Sequence, residues 1–311
     1  MLSPHRLIRH IINQKGMNFM YRLLIAGGDM RYVYLAGLFA AENTDVTVCG
    51  FNEDINFPTK VKRAEKLSEA AEQADIIILP LPASHDKVTV NTPLSDECFY
   101  LKDICCNASK DAVICYGKAD PQMFVQNGIK AVDYASRDDF AILNAVPTCE
   151  GAIYEAMGIM DTTIFSSRVL VTGFGRCAKI LALTLKAMGA KVSVAARSVR
   201  DLSLAQALGF ETAHISELIR IADSFDIIFN SIPDIIFTSD ILKNISRRCP
   251  LIDIASAPGG ALKEDATRFG VDHRILPGLP GKYSPLTAAK IIKSTVKNII
   301  RECGKDANQW I

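Results

Sequence analysis

Apolar residues in this chain come in short runs closed by glycine, proline or a polar residue. "RLLIAGGD" (22–29), "ADIIILPLP" (74–82), "DAVICYG" (111–117) and "RVLVTGFG" (168–175) are examples. Runs that are apolar throughout, rather than alternating, mark strands buried on both faces. Between them lie stretches with apolar positions at helical spacing, so strands and helices alternate and the sheets are expected to be parallel.

The same plan occurs twice. "RLLIAGGD" (22–29) is matched by "RVLVTGFG" (168–175), and "ADIIILPLP" (74–82) by "FDIIFNSIP" (225–233). "DAVICYG" (111–117) corresponds to "PLIDIAS" (250–256), and "GIKAVDYA" (128–135) to "GVDHRIL" (270–276). The matches keep their order at a displacement of about 140–150 residues, which indicates an internal repeat. The expected fold class is therefore α/β, with two doubly wound Rossmann-like domains and a ligand cleft between them. "CEGAIYEAMGIM" (149–160) predicts a connecting helix. "PLTAAKIIKSTVKNIIREC" (285–303) predicts a final helix that packs back on the first domain. The expected domains are 20–145 with 285–305 for substrate and partner, and 146–284 for nucleotide. Residues 1–19 form an extension ahead of the first strand.

Composition narrows the partners. The 311 residues carry 35 basic and 34 acidic side chains, a balance that argues against nucleic acid or an acidic membrane surface. No apolar run reaches the ~18 residues of a membrane-spanning helix, and the first twenty residues lack a convincing signal-peptide pattern. The nine cysteines form no C-x-x-C pair and read as small core residues in a reducing compartment, so cytoplasm is expected. The five histidines show no metal-ligand spacing.

Gly173-Phe174-Gly175-Arg176-Cys177-Ala178 fits G-x-G-x-x-A between a strand and a helix, with "AKVSVAAR" (190–197) as the next strand. In that context it is a dinucleotide fingerprint. Gly173 permits the turn, Gly175 leaves room for a pyrophosphate, and the amides of Arg176 and Cys177 would bind it. The second strand ends on Ala195-Ala196-Arg197-Ser198, with Arg200 beyond, where an NAD protein places an acid. A guanidinium and a hydroxyl suit a 2′-phosphate, so the expected cofactor is NADP. The alternative is an Arg197 that only stacks on adenine or faces solvent. Ile232 and Pro233, closing the 225–233 run, and Ala255, within 250–256, complete the expected cofactor contacts.

The equivalent turn of the first half, "AGGDMR" (26–31), has the wrong spacing for a dinucleotide loop, and Asp29 would oppose a phosphate. That half is read as a substrate pocket. Asp29 and Arg31 are candidate contacts, with an ion pair at a helix start as the competing explanation.

With these features in place the chain resembles the dipicolinate synthase A-subunit family. The residues that carry the resemblance are "GGDMR" (27–31), "PTCEG" (147–151), "GFGR" (173–176), "AARS" (195–198), "DIASAPGG" (253–260) and "PGLPGKYSPLTAAKI" (277–291). The first twenty residues are extra to the family pattern, and Ala178 stands where a third glycine is expected. The resemblance implies oxidation of dihydrodipicolinate to dipicolinate in spore-forming bacteria, in the mother cell, alongside the flavoprotein-like B-subunit of dipicolinate synthase. Such a site must orient a ring and hold two carboxylates. Arg31, Thr148 and the amides around Gly151, expected at a helix start, are the candidates for the carboxylates. Glu150, His85 and Ser256 are the catalytic candidates, with helix capping and plain solvation as the competing roles for Glu150 and His85. "APGG" (257–260) is expected to bring backbone close to ligand, and His273 is read as structural.

Two rival functions remain open. Another NADP-linked dehydrogenase of a small carboxylic acid, of the 2-hydroxyacid or shikimate type, is one. A 2-hydroxyacid enzyme would need an arginine and histidine pair where this chain has Ala257-Pro258-Gly259-Gly260 and Pro277-Gly278-Leu279-Pro280. The other is a cofactor-binding scaffold or regulatory protein with the chemistry on the B-subunit. An exposed apolar helix face near the C-terminus is a possible homo-oligomer contact.

Overall fold

The computed structural model describes residues 21–305, apart from Asn43. The extension expected at 1–19 lies outside the described residues. The chain forms two compact units: one runs to Phe140 and resumes at Pro285, and the other comprises Ala141–Ser284. Among the described residues no helix is long and apolar enough to cross a membrane.

The first unit is built on β1 (Arg22–Ala26), β2 (Asp45–Cys49), β3 (Val61–Arg63), β4 (Ile76–Ile78), β5 (Val113–Tyr116) and β6 (Lys130–Asp133). These pair in the order β3-β2-β1-β4-β5-β6, all parallel. The second unit contains β7 (Arg168–Thr172), β8 (Lys191–Ala196), β9 (Glu211–His214), β10 (Ile227–Asn230), β11 (Leu251–Asp253) and β12 (His273–Ile275). Their order, β9-β8-β7-β10-β11-β12, is the same order again. The four matched pairs of runs correspond to β1 and β7, β4 and β10, β5 and β11, β6 and β12. The fold is therefore the doubly wound pair that the repeat predicts. Strands β3 and β9 are mostly exposed edge strands and carry no apolar run that would announce them.

Side chains leave a strand on alternate faces, and both faces of each sheet are covered. Leu23 and Ile25 of β1 join one core with the helices Met30–Ala40 and Pro285–Lys305. Leu24 and Ala26 join the opposite core with Leu67–Gln73 and Leu101–Asn107. In the second unit Val169 and Val171 pack with Leu181 and Leu185 of the helix Arg176–Ala187. Leu170 packs on the other side with Leu218, Leu242 and Ala266.

The final helix docks on the first unit, as its pattern predicts. Ala288, Ala289, Ile292, Val296 and Ile299 are buried at the 3.6-residue period. Lys293 Nζ donates to the carbonyl of Leu38 at 2.6 Å and pairs with Glu42, as does Lys297.

The connecting helix differs from its expectation. It runs over Asp138–Ile159 and contains Pro147, so it starts well ahead of residue 149. Proline removes one backbone donor from a helix and usually marks its end, which hid the first half.

Ile292 is fully buried, and its truncation should test the docking of the final helix. Ile292→Ala is expected to cost about 2–5 kcal/mol in chemical denaturation followed in the first unit. The exposed Arg301 replaced by Ala should stay within about 0.5 kcal/mol of the parent.

Candidate functional site

The turn after β7 is open. Gly173 has φ +84°, and a Cβ there would lie 2.6 Å from Ser231 Oγ and 3.0 Å from Ile232 Cγ1. Only glycine suits that position. Gly175 is the N-cap of the helix Arg176–Ala187 and gives it no side-chain cap, and no acid occupies the first turn. A Cβ on Gly175 would meet nothing within 4 Å. The opening amides of this helix lack intrahelical acceptors. Phe174 turns inward against Phe210 at 6.0 Å, and Ala178 is buried under the sheet. The helix start is tied further by Cys149, whose Sγ donates to the carbonyl of Cys177 at 3.3 Å. Burial pushes the Cys177 thiol up, away from the nucleophilic thiolate.

At the end of β8, Ala196 is buried while Arg197, Ser198 and Arg200 are exposed. The Arg197 guanidinium makes no hydrogen bond or ion pair with another described residue. Ser198 caps the helix Val199–Ala207, its Oγ accepting from the amide of Asp201 at 3.4 Å. A hydroxyl that accepts a backbone hydrogen bond still has its own proton to donate.

Behind this surface lies a buried polar network that no sequence motif announced. Thr172, Asn230 and Asp253 are fully buried at the carboxyl ends of β7, β10 and β11. Thr172 Oγ1 donates to Asn230 Oδ1 at 2.6 Å, and Asn230 Nδ2 donates to Asp253 Oδ1 at 3.0 Å and to the carbonyl of Ile232 at 2.9 Å. The amide of Ile232 returns a bond to Asn230 Oδ1 at 3.1 Å. Asp253 also accepts from the amides of Ala255 (3.0 Å) and Gly260, and sits 3.3 Å from His273 Nε2. Burial alone would raise its pKa; the hydrogen bonds from His273, Gly260, Asn230 and Ala255 outweigh that and hold it below the usual carboxylate range. His273 is thus a buried structural partner, with its side chain 2% exposed. A signal was present: in "VLVT", "IIFN" and "LID" one polar residue closes an otherwise apolar strand.

This network corrects the reading of "APGG". A Cβ on Gly259, where φ is +83°, would lie 2.8 Å from Asp253 Oδ2, and one on Gly260 2.4 Å from Asn230 Nδ2. The close approach that requires glycine here is to the protein's own carboxylate and amide. Ala255 serves the same carboxylate through its amide. Ile232 packs against the Gly173 turn, whereas Pro233 and Ser256 are not buried; the Ser256 carbonyl accepts from the amide of Gly259 at 3.0 Å.

The helix-start expectation for residues 148–151 is also corrected. Thr148, Glu150 and Gly151 lie inside Asp138–Ile159, so the amide of Gly151 is not an open N-terminal donor. A Cβ on Gly151 would meet Leu279 at 3.0 Å and Tyr283 at 3.1 Å; glycine is needed there for packing. Thr148 Oγ1 donates to the carbonyl of Asn144 at 2.7 Å, and Glu150 is exposed mid-helix rather than capping.

In the first unit the equivalent turn is filled. The amide of Gly28 donates to the carbonyl of Asn91 at 2.9 Å, and a Cβ on Gly27 would strike Thr92 and Asn91. Asp29 caps the helix Met30–Ala40 and holds Arg31 in a two-pronged ion pair, with Nε and Nη2 both at 2.9 Å. Arg31 Nη2 also donates to the carbonyl of Leu81 at 2.8 Å. Arg31 is 8% exposed, so the pair is largely buried on its cationic side. Beside it Tyr32, pushed up to about 12 by burial, shares a 2.5 Å hydrogen bond with Tyr134. His85 lies in the loop after β4 and is not buried. Asp29, Arg31 and His85 thus belong to the first unit, and the remaining candidates to the second.

Comparison with known proteins agrees with this architecture. Residues 22–135 match the N-terminal domain of the dipicolinate synthase A-subunit. The chain is 32% identical over 287 residues to the dipicolinate synthase A-subunit of Bacillus subtilis (strain 168), covering 90% of this chain and 96% of that protein. It belongs to the dipicolinate synthase A-subunit family. Within that family, the crystal structure of the Bacillus halodurans protein superposes with a TM-score of 0.85 at 29% identity, covering 92% of this chain and 99% of that one. The crystal structure of the Bacillus subtilis protein gives 0.84 at 31% identity, over 92% and 97%. Residues 163–250 match the NADPH-binding domain of acetohydroxy acid isomeroreductase. That match supports a nicotinamide cofactor for this family member and, with the family itself, an oxidoreductase role.

Replacing Asp253 should uncover the buried network. Asp253→Asn turns one carboxylate oxygen into an amide donor, which then faces either Gly260 and His273 or Asn230 and Ala255, at a cost of about 1–3 kcal/mol in thermal or chemical denaturation. Because the folded-state pKa is depressed, the carboxylate's contribution is present above the unfolded value and fades as pH falls through the folded one. The variant is expected to lose less stability than the parent on acidification.

Proposed function

We propose that this chain oxidises dihydrodipicolinate to dipicolinate with NADP, acting with the dipicolinate synthase B-subunit in the mother-cell cytoplasm of a spore former. The observation that carries the reading is the open Gly173–Gly175 turn, followed at the end of β8 by an exposed guanidinium in a chain of this family. The fit to a dinucleotide rests on the space in front of Gly175, which a Cβ would enter without contact. The donor set is the helix-start amides of Arg176 and Cys177, with Arg197 and Ser198 for a 2′-phosphate. Ile232, Pro233 and Ala255, on the loops after β10 and β11, are the further contacts.

A bound nicotinamide would supply the hydride acceptor for the dihydropyridine ring, and a proton would be released as the ring becomes aromatic. The chain's own task is to hold the ring and its carboxylates and to receive that proton. Glu150, Ser256 and His85 all reach solvent and are the candidates for the proton. Arg31 contributes its remaining nitrogen, Nη1, to a carboxylate; Thr148, whose hydroxyl proton goes to the carbonyl of Asn144, is not retained as a donor. Asp29 holds Arg31 in place. Gly151 is not retained in this role.

Arg197→Asp tests the cofactor assignment. Loss of one charge-assisted contact is worth about 1.5–3 kcal/mol, so the preference for NADP over NAD should fall roughly 10- to 150-fold in titrations of both oxidised cofactors. An unchanged preference removes the argument. The activity is tested by supplying dihydrodipicolinate and NADP to the purified chain, with and without its B-subunit, and following NADPH absorbance. Tight NADP binding with no NADPH formed under either condition would instead make this chain a scaffold for chemistry on its partner.

A further inference from the structure

The connecting helix Asp138–Ile159 is apolar on both sides. Cys149, Ala152, Ile153 and Ala156 turn inward to the core of the second unit. Ile142, Leu143, Val146, Tyr154 and Met157 lie outward, each between 41% and 65% exposed. A surface helix ordinarily keeps its outward face polar, and one that is apolar all round is ordinarily buried. Between Ile142 and Met157 the single exposed charge is Glu150. At 3.6 residues per turn these six positions fall within about a third of the circumference. The final helix, by contrast, buries its apolar face and turns Lys290, Ser294 and Arg301 outward. The exposed apolar helix face therefore lies here rather than near the C-terminus.

The spacing of the stripe says what covers it. Leu143, Val146, Glu150, Tyr154 and Met157 follow one another in the order apolar, apolar, charged, apolar, apolar. Leu143 and Met157 stand equally far from Glu150 along the chain, and so do Val146 and Tyr154. A contact between two identical chains about a two-fold axis demands that residue i meet j while j meets i. Two copies of this helix, antiparallel about an axis at Glu150, satisfy that demand. Leu143 of one copy lies opposite Met157 of the other, and Val146 opposite Tyr154.

The area also suits a dimer. With roughly 150–250 Å² for a large side chain in full, the five apolar residues present on the order of 500 Å². Exposed apolar patches of several hundred Å² mark interaction sites. A homodimer interface is about 65% apolar, so a patch of this size belongs to a contact of about 800 Å² per copy, which is that of a stable complex.

We propose that the outward face of the helix Asp138–Ile159 is covered by the same face of a second copy of this chain, in an antiparallel pair with its two-fold axis at Glu150. Glu150 then lies between two chains, which leaves Ser256 and His85 as the candidates for the proton. The two Glu150 carboxylates approach each other at the axis, and their repulsion holds the affinity down.

The test is sedimentation velocity of the full chain over a concentration series, where the parent should run as a dimer. Val146→Glu combined with Met157→Glu should weaken that dimer at least about 100-fold. Both positions are exposed and glutamate is a good helix former, so an unchanged far-ultraviolet spectrum serves as the folding check. Glu150→Gln removes the facing carboxylates and should tighten the dimer several-fold, a gain that misfolding cannot produce. A monomeric parent overturns the proposal, as does a dimer that the double variant leaves intact. A dimer weakened by the double variant but not tightened by Glu150→Gln overturns the position of the axis. If a monomeric parent binds the B-subunit and the double variant does not, the face belongs to that partner instead.

Discussion

The amide of Gly28 donates to the carbonyl of Asn91 at 2.9 Å, and this bond separates the two halves of an otherwise repeated structure. In a doubly wound sheet the turn after the first strand is where a phosphate meets open backbone amides. Here the first unit has used that position itself. Asn91 and Thr92 stand against Gly27, and Asp29 places a carboxylate at the helix start. In the second unit the same turn ends at Gly175, with neither side chain nor acid in front of it. Two units of one strand order are therefore specialised by what occupies one turn.

A second constraint acts just beneath. Strands buried on both faces must be apolar along their length, yet Thr172, Asn230 and Asp253 close three neighbouring strands with polar groups. A buried carboxylate is tolerated only when its hydrogen-bonding capacity is met. Asp253 meets it with donors from Asn230, Ala255, Gly260 and His273. Those same bonds pin the loop 255–260, and with Asn230 they pin Ile232 against Gly173. The shape of the turn after β7 and of the loop 255–260 is thus set from inside.

Periodic features were the most legible part of the sequence. Apolar runs and their spacing were enough for the duplicated sheets, because complete burial leaves little choice of residue in a stretch such as "IIIL" (76–79). The glycine turn at 173–175 was legible because Gly173, at φ +84° against Ser231 and Ile232, answers a steric demand that only glycine meets. Edge strands β3 and β9 were not legible, since half-exposed strands need no apolar run. The start of the connecting helix at Asp138 was obscured by Pro147, a residue that normally ends helices. The glycines at 259 and 260 were recognised as close approaches but assigned to a ligand, and Gly151 was read as part of a helix start. Their true neighbours, Leu279, Tyr283, Asp253 and Asn230, come from other elements, and a sequence does not show which partner a missing side chain accommodates.

The two arginines chosen for ligand contacts show why residue type alone is a weak guide. Arg197 is exposed and unpaired among the described residues, so a phosphate arriving there gains the full charge-assisted contact, less the cost of ordering the side chain. Arg31 is buried and already makes two parallel bonds to Asp29 and one to Leu81. A carboxylate arriving there gains only the difference between its own bonds and those it replaces. It also brings a second negative charge beside Asp29, which the low-dielectric surroundings make more costly than at the surface.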